Sequence, residues 1–223
     1  MREMKAQPIK NVLFDLDGTL TDPAVGITRC IQYALERLNR PPQSQSALEA
    51  YIGPPLRSTF AALLESTDAE LLETAVAFYR ERFSTTGLFE NELYAGVPLM
   101  LEKLRDAGYS LFVATSKVGL YAERILVHFH LAQFFGGVYG STLAGLYDDK
   151  SDLLRHLLEQ ESLAATETIM VGDRKHDVFA AHANGLCALG VTYGYGTREE
   201  LAEAGADALC DSPPETADFL LAL

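Results

Sequence analysis

The stretch Val12-Leu13-Phe14-Asp15-Leu16-Asp17-Gly18-Thr19-Leu20 decides how the rest of the chain is read. A short apolar run passes straight into two aspartates spaced one apart, and the chain then meets a glycine. An apolar run of this length, bounded by a turn signal, reads as a strand buried on both faces of a parallel sheet. Such a strand delivers Asp15 and Asp17 to its carboxyl end, where open α/β sheets place their ligands. Two carboxylates so close repel each other and lose solvation, so they call for a cation or a shared proton. A hard, oxygen-seeking ion such as Mg²⁺ meets that need. Alone, the same residues also read as a solvated Asp-x-Asp-Gly turn; their downstream company separates the two readings.

Outward from this strand the pattern is first helical. Asp22-Pro23 reads as an N-cap followed by proline at the first helical position. Ile27, Cys30, Ile31, Ala34, Leu35 and Leu38 then recur at helical spacing. Pro41-Pro42 closes that helix, and residues 47–51, 56–65 and 68–83 continue as helical segments. Nothing between Asp22 and Glu90 reads as a buried strand. After Leu93 the pattern changes to strands at 109–115, 138–140, 168–171 and 187–191. Helices at 98–107, 118–129, 151–161 and 178–184 lie among them, the first stopped by Gly108. Thr197-x-x-Glu200 and Ser212-x-x-Glu215 fit capping boxes opening two more. Such alternation implies right-handed crossovers and a parallel sheet. The expected fold is α/β: a doubly wound, Rossmann-like core from residues 1–21 and 93–223, interrupted by an all-helical module at 22–92.

Bulk properties narrow the partners. A chain of 223 residues holds one core plus a modest second module. A net charge of −13 opposes a nucleic-acid polymer as partner, while a locally positive site still admits a small phosphate. Cys30, Cys187 and Cys210 are widely separated and form no C-x-x-C pair, which suggests a reducing compartment. Residues 1–10 are polar and lack the apolar centre of a signal peptide. No apolar run approaches the roughly 18 residues of a membrane helix. The expectation is a cytoplasmic protein without a membrane partner, either monomer or homodimer.

Three further segments end in chemically useful residues. Phe112-Val113-Ala114 runs into Thr115-Ser116-Lys117, and Ile169-Met170-Val171 into Gly172-Asp173-Arg174-Lys175-His176-Asp177. Between them, Asp149-Lys150-Ser151 opens a helix. In a doubly wound sheet these tips converge on one rim. As an ordered set the four segments resemble the motifs of the haloacid dehalogenase superfamily, specifically its phosphatases. The helical insertion is similar to that family's small mobile cap domain.

The resemblance covers residues 15 to 177 and implies a role for each position. Asp15 becomes the nucleophile that forms an aspartyl-phosphate, and Asp17 the acid and then the base. Asp15, the backbone carbonyl of Asp17, and Asp173 hold Mg²⁺. Thr115, Lys150 and backbone N–H groups near Ser116 and Gly18 bind the phosphoryl group. Asp177 stands behind them, orienting Lys150 or a metal-bound water. Lys150 lacks the proline that often follows it in the family, so Lys117 and Lys175 remain alternatives. In the insertion, Tyr51-Ile52-Gly53-Pro54-Pro55-Leu56-Arg57 reads either as a specificity loop, with Gly53 shaping it and Arg57 pairing an anion, or as a helix break with Arg57 in solvent. Tyr193 and Tyr195 either line the rim or pack beneath the loop.

The same motifs sort the chemistry. Dehalogenases of the superfamily lack the second aspartate and phosphonatases replace it with a small residue, so Asp17 argues against both. Sugar-phosphate mutases share the motifs and differ in how water is excluded. A non-catalytic sensor of phosphorylated metabolites has no use for nucleophile, acid and metal ligand together. The expectation is a Mg²⁺-dependent phosphomonoester hydrolase acting on a small phosphorylated metabolite. The whole chain resembles phosphoglycolate phosphatases first. Its Gly-Asp-Arg-Lys-His-Asp, Tyr-Gly-Tyr-Gly and Glu-Glu-Leu segments also resemble a 5′-nucleotidase branch.

Overall fold

Val12, Leu13 and Phe14 lie in a fully buried strand. In the computed structural model, which describes residues 8–223, β1 (Asn11–Phe14) is paired on both edges. Of the polar opening segment, residues 1–7 lie outside the described residues. The chain continues through β2 (Thr21–Asp22), α1 (Ala24–Arg37), α2 (Gln45–Glu49), α3 (Leu56–Leu64) and α4 (Ala69–Phe83). Then follow β3 (Glu92–Leu93), α5 (Val97–Asp106), β4 (Ser110–Val118), α6 (Gly119–His128) and β5 (Gly137–Ser141). Next come α7 (Lys150–Gln160), β6 (Thr168–Gly172), α8 (Lys175–Ala183) and β7 (Cys187–Val191). The last elements are α9 (Arg198–Glu203), β8 (Ala208–Cys210) and α10 (Pro213–Leu221).

Six strands form one sheet in the order β5-β4-β1-β6-β7-β8, and the pairings are parallel. The chain builds outward from β1 to β4 and β5, then returns to the other side for β6, β7 and β8. At such a reversal a crevice opens beyond the carboxyl ends of the strands. Register aligns the contributors: Phe14 is level with Val113 on one side and Val171 on the other. Asp15, Thr115 and Asp173 therefore leave the sheet at one rim. Beneath them Leu13, Phe112 and Met170 pack with Leu154 and Leu157 of α7 and with Val178 and Ala181 of α8. Each of these side chains apart from Ala181 contributes about 1.5–3 kcal/mol on burial, which keeps the rim on a rigid base.

Contacts divide the chain into two units, Pro23–Glu92 and the remainder up to Asp22 and from Leu93 onward. Within the helical unit, α1 packs on α4. Ile27, Cys30, Ile31, Ala34 and Leu35 are buried from α1, and Ala75, Val76, Tyr79 and Phe83 from α4. Phe60 meets Tyr79 edge-on at 6.3 Å, and Tyr79 stacks on Phe83 at 5.2 Å. A polar clasp completes the unit: Arg82 donates to Glu90 at 2.7 and 3.1 Å, and Arg29 to the same carboxylate at 2.7 Å.

Several local expectations shift. Helix α1 begins at Ala24 with Pro23, not Asp22, directly before it, and the Asp22 carboxylate accepts the Tyr195 hydroxyl. The two capping boxes form by half. Thr197 and Ser212 accept from the N–H groups of Glu200 and Glu215 at 3.1 and 3.3 Å. The Glu200 carboxylate, however, turns to Arg174 and the Lys175 N–H, since a guanidinium outcompetes a neutral amide. Helix α8 starts at Lys175, ahead of the apolar pattern at Val178, because Asp177 reaches back to the Arg174 N–H at 3.0 Å. Strand β8, three residues long at the sheet edge, leaves too short a pattern to read in sequence.

Candidate active site

Asp15 extends the ladder of β1 by one bond, its N–H donating to the Val171 carbonyl at 2.9 Å. The chain then turns sharply. The Leu16 N–H donates to Asp15 Oδ1 at 2.8 Å, and the Gly18 N–H to the Thr21 carbonyl at 2.8 Å. Gly18 has φ +85°, and any side chain there would collide with the Asp173 carboxylate. Its own N–H is occupied by Thr21, so Gly18 contributes space rather than a donor.

Two buried ammonium groups face the aspartates. Lys117 Nζ lies 2.7 Å from Asp17 Oδ2. Lys150 Nζ lies 3.1 Å from Asp15 Oδ1 and also pairs with Asp177 Oδ1. Lys150 is presented by the first turn of α7, whose N-cap Asp149 accepts from the N–H groups of Ser151 and Asp152 at 2.7 and 3.3 Å. Burial by itself would favour loss of the Lys150 proton; Asp15 and Asp177 more than reverse this and hold the ammonium charged. Burial pushes the Asp17 carboxyl up, against the opposing pull of Lys117. Burial likewise pushes Asp177 up to about 6 in spite of Lys150. Asp173 rises well above the ordinary carboxylate value, first through burial and then through Asp177 and Asp15.

These groups fit a divalent cation. Carboxylate oxygens of Asp15, Asp173 and Asp177 lie within 4.8 Å of one another. Asp173 is 0 % exposed; its Oδ2 accepts the Tyr195 N–H at 2.8 Å, while its Oδ1 is buried with no hydrogen-bond partner. Among the described residues, the buried carboxylates of Asp15, Asp17 and Asp177 pair with the ammonium groups of Lys117 and Lys150, and Asp173 lies beside them. With all four ionised, an excess of about two negative charges stands away from water, which a hard divalent ion such as Mg²⁺ would neutralise. The Asp17 carboxylate is not one of the clustered three and instead meets Lys117.

The other expected residues fall into place around this cluster or elsewhere. Thr115 is buried at the end of the apolar part of β4, its hydroxyl accepting the Lys117 N–H at 3.2 Å. The Ser116 carbonyl accepts from the Ser141 hydroxyl at 3.1 Å. Lys175 is exposed, with its N–H on Glu200. Gly53 and Arg57 belong to the helical unit. Gly53 has φ +110° before α3, and Arg57 Nε donates to Glu73 Oε1 of α4 at 2.5 Å.

Sequence reasoning undervalued the loop after β7. Tyr195 contributes its N–H to Asp173 and its hydroxyl to Asp22. The Tyr193 hydroxyl donates to the Thr19 carbonyl at 3.0 Å, and its ring meets Tyr94 edge-on at 5.1 Å. A side chain at Gly194 would overlap the Gly18 carbonyl and the Asp173 side chain. Both tyrosines thus brace the Asp15–Asp22 turn. The signal was the alternation Tyr193-Gly194-Tyr195-Gly196, with glycine where another backbone approaches.

The chain is similar to several known proteins. The family model described as haloacid dehalogenase-like hydrolase matches residues 12–191. A 5′-nucleotidase of Pseudomonas aeruginosa is 48% identical over 191 residues, 86% of either chain. The tyrosine-protein kinase PtkA of Mycobacterium tuberculosis is 40% identical over 83% of this chain, which spans 62% of that protein's length. A phosphoglycolate phosphatase of Vibrio parahaemolyticus is 30% identical over 95% of this chain and 96% of its own. The crystal structure of a predicted phosphatase from Clostridium acetobutylicum superposes with a TM-score of 0.94 at 40% identity, covering 97% of this chain and all of the other.

Proposed function

The chain belongs to the haloacid dehalogenase-like hydrolases and carries a phosphatase-type aspartate cluster, and from that premise we propose that it is a Mg²⁺-dependent 5′-nucleotidase. The observation that carries this reading is the 48% identity to a 5′-nucleotidase across 86% of both chains. The phosphoglycolate phosphatase likeness, ranked first from sequence, stands at 30%. That difference moves nucleoside 5′-monophosphates ahead of phosphoglycolate.

In this reading a carboxylate oxygen of Asp15 attacks phosphorus while the bond to the ribose 5′-oxygen breaks. Asp17, whose burial favours the protonated form, gives its proton to that leaving oxygen. Asp17 then takes a proton from the water that hydrolyses the aspartyl-phosphate, and free Asp15 returns. Lys117 holds the Asp17 carboxylate in place between these two acts. Lys150, with the Thr115 hydroxyl and the backbone near Ser116, balances charge on the phosphoryl oxygens. Mg²⁺, held by Asp15, Asp173 and the Asp17 carbonyl with Asp177 beside them, supplies the remaining positive charge when bound. The helical unit serves as the family's cap, and Gly53 and Arg57 are its specificity candidates.

The deciding experiment measures kcat/KM with Mg²⁺ for several nucleoside 5′-monophosphates and 2-phosphoglycolate side by side, with Asp15→Asn as blank. Higher values for the nucleotides are expected. A clear preference for phosphoglycolate overturns the nucleotidase reading and leaves the phosphatase chemistry intact.

A further inference from the structure

A concavity of about 550 Å³ opens at the edge of the sheet, where β5 has no further strand beside it. It lies between α6 and α7, and its walls include Tyr139, Tyr147, His156, Leu143, Glu123 and Ser141. None of the aspartates or lysines of the active site lines it. Its volume falls within the roughly 300–1,000 Å³ typical of small-molecule sites.

Three observations define what would fit. The first is a wall of ordered rings: Tyr147 stacks on His156 at 4.6 Å and 14°, and Tyr139 meets the same imidazole edge-on at 6.1 Å. Tyr147 reaches that stack with φ +65°, a left-handed backbone that an aromatic residue seldom adopts. Such outliers concentrate at ligand clamps and switch regions. The second is a polar edge: Gly140 and Ser141 of the edge strand β5 line the cleft. The third is charge. No lysine or arginine lines the cleft, Glu123 is its one carboxylate, and the whole chain carries −13. A phosphorylated molecule is therefore disfavoured there.

We propose that this cleft binds an uncharged planar heteroaromatic molecule of nucleoside size, its ring against the Tyr147–His156 stack and its polar edge on β5. The site is distinct from the aspartate cluster and independent of which phosphomonoester the enzyme hydrolyses. The same loop joins the two, since residues 142–148 run from the cleft wall to Asp149, the N-cap of the helix that carries Lys150.

Adenosine is a suitable probe, titrated by calorimetry into the whole protein with Mg²⁺ and saturating inorganic phosphate. Saturable binding of adenosine at this cleft is expected, besides any adenosine held at the active site as product. Tyr147→Gly, which removes the ring and suits the left-handed backbone, should weaken it about tenfold or more. Tyr147→Phe should restore it, and both variants should keep wild-type kcat/KM toward an aryl phosphate. No saturable binding by the wild type overturns the proposal. So does equal binding by Tyr147→Gly, which would place adenosine elsewhere on the protein.

Discussion

Asp15 and Asp17 leave the same strand two residues apart and meet different cations, Lys150 and Lys117 respectively. In the proposed mechanism this pairing separates the carboxylate that attacks from the one that transfers a proton. Asp15→Asn should lower kcat by at least about 10³-fold with the fold intact, checked by single-turnover phosphate release and circular dichroism. Residual turnover near wild type would remove Asp15 from the nucleophile's role. Gly194→Ala tests the brace rather than the chemistry: a methyl there displaces Asp173 or the Gly18 carbonyl. Mg²⁺ affinity, followed by calorimetry without substrate, should fall about 10–100-fold, as for other groups that orient metal ligands. Unchanged affinity would mean that the loop yields freely. Among the candidate lysines, residue type carries no preference. Lys117, Lys150 and Lys175 look alike in sequence, and only the turn of the chain after each strand sends the first two inward and the third to solvent.

Elements supply the positions these residues need. Helix α7 owes its sharp start to Asp149, so Asp149→Ala should cost about 0.5–2 kcal/mol and lower Tm by about 2–4 °C per kcal/mol. Because that turn carries Lys150, KM for the phosphate ester should rise with it; an unchanged KM would show that Lys150 is held by Asp15 and Asp177 alone. In the helical unit, the Arg82 and Arg29 guanidiniums hold the Glu90 carboxyl below its usual 4.5. A depressed carboxylate stabilises the fold fully above its unfolded value and loses that contribution as pH falls through its folded one. Tm should therefore drop more steeply below about pH 4.5 in the wild type than in Glu90→Gln, measured by calorimetry across that range. Parallel slopes would mean that the clasp contributes nothing. Periodicity made most helices and buried strands legible here. It failed at helix starts, where Pro23 rather than Asp22 directly precedes α1, and at β8, too short for a period to register.

At the scale of the whole molecule, the net charge of −13 opposes approach of a phosphate dianion, although the site itself holds buried ammonium groups. Raising ionic strength from about 10 to about 150 mM shortens the screening length from about 30 to about 8 Å. The value of kcat/KM for a nucleotide should then rise while kcat stays level; a fall would show that the local positive field governs capture. The amino-acid order alone determined the hydrolase family, the parallel sheet with its inserted helices, and the succession of strand-end aspartates. These are encoded in short local patterns: a buried run, a turn and a polar tip. Tertiary structure alone decided which lysine meets which aspartate, that Asp177 joins Asp15 and Asp173 in one cluster, and that Tyr193 and Tyr195 brace the turn with their hydroxyls. Those outcomes depend on strand register and on contacts between residues more than a hundred positions apart, where no local pattern records which side chains will meet.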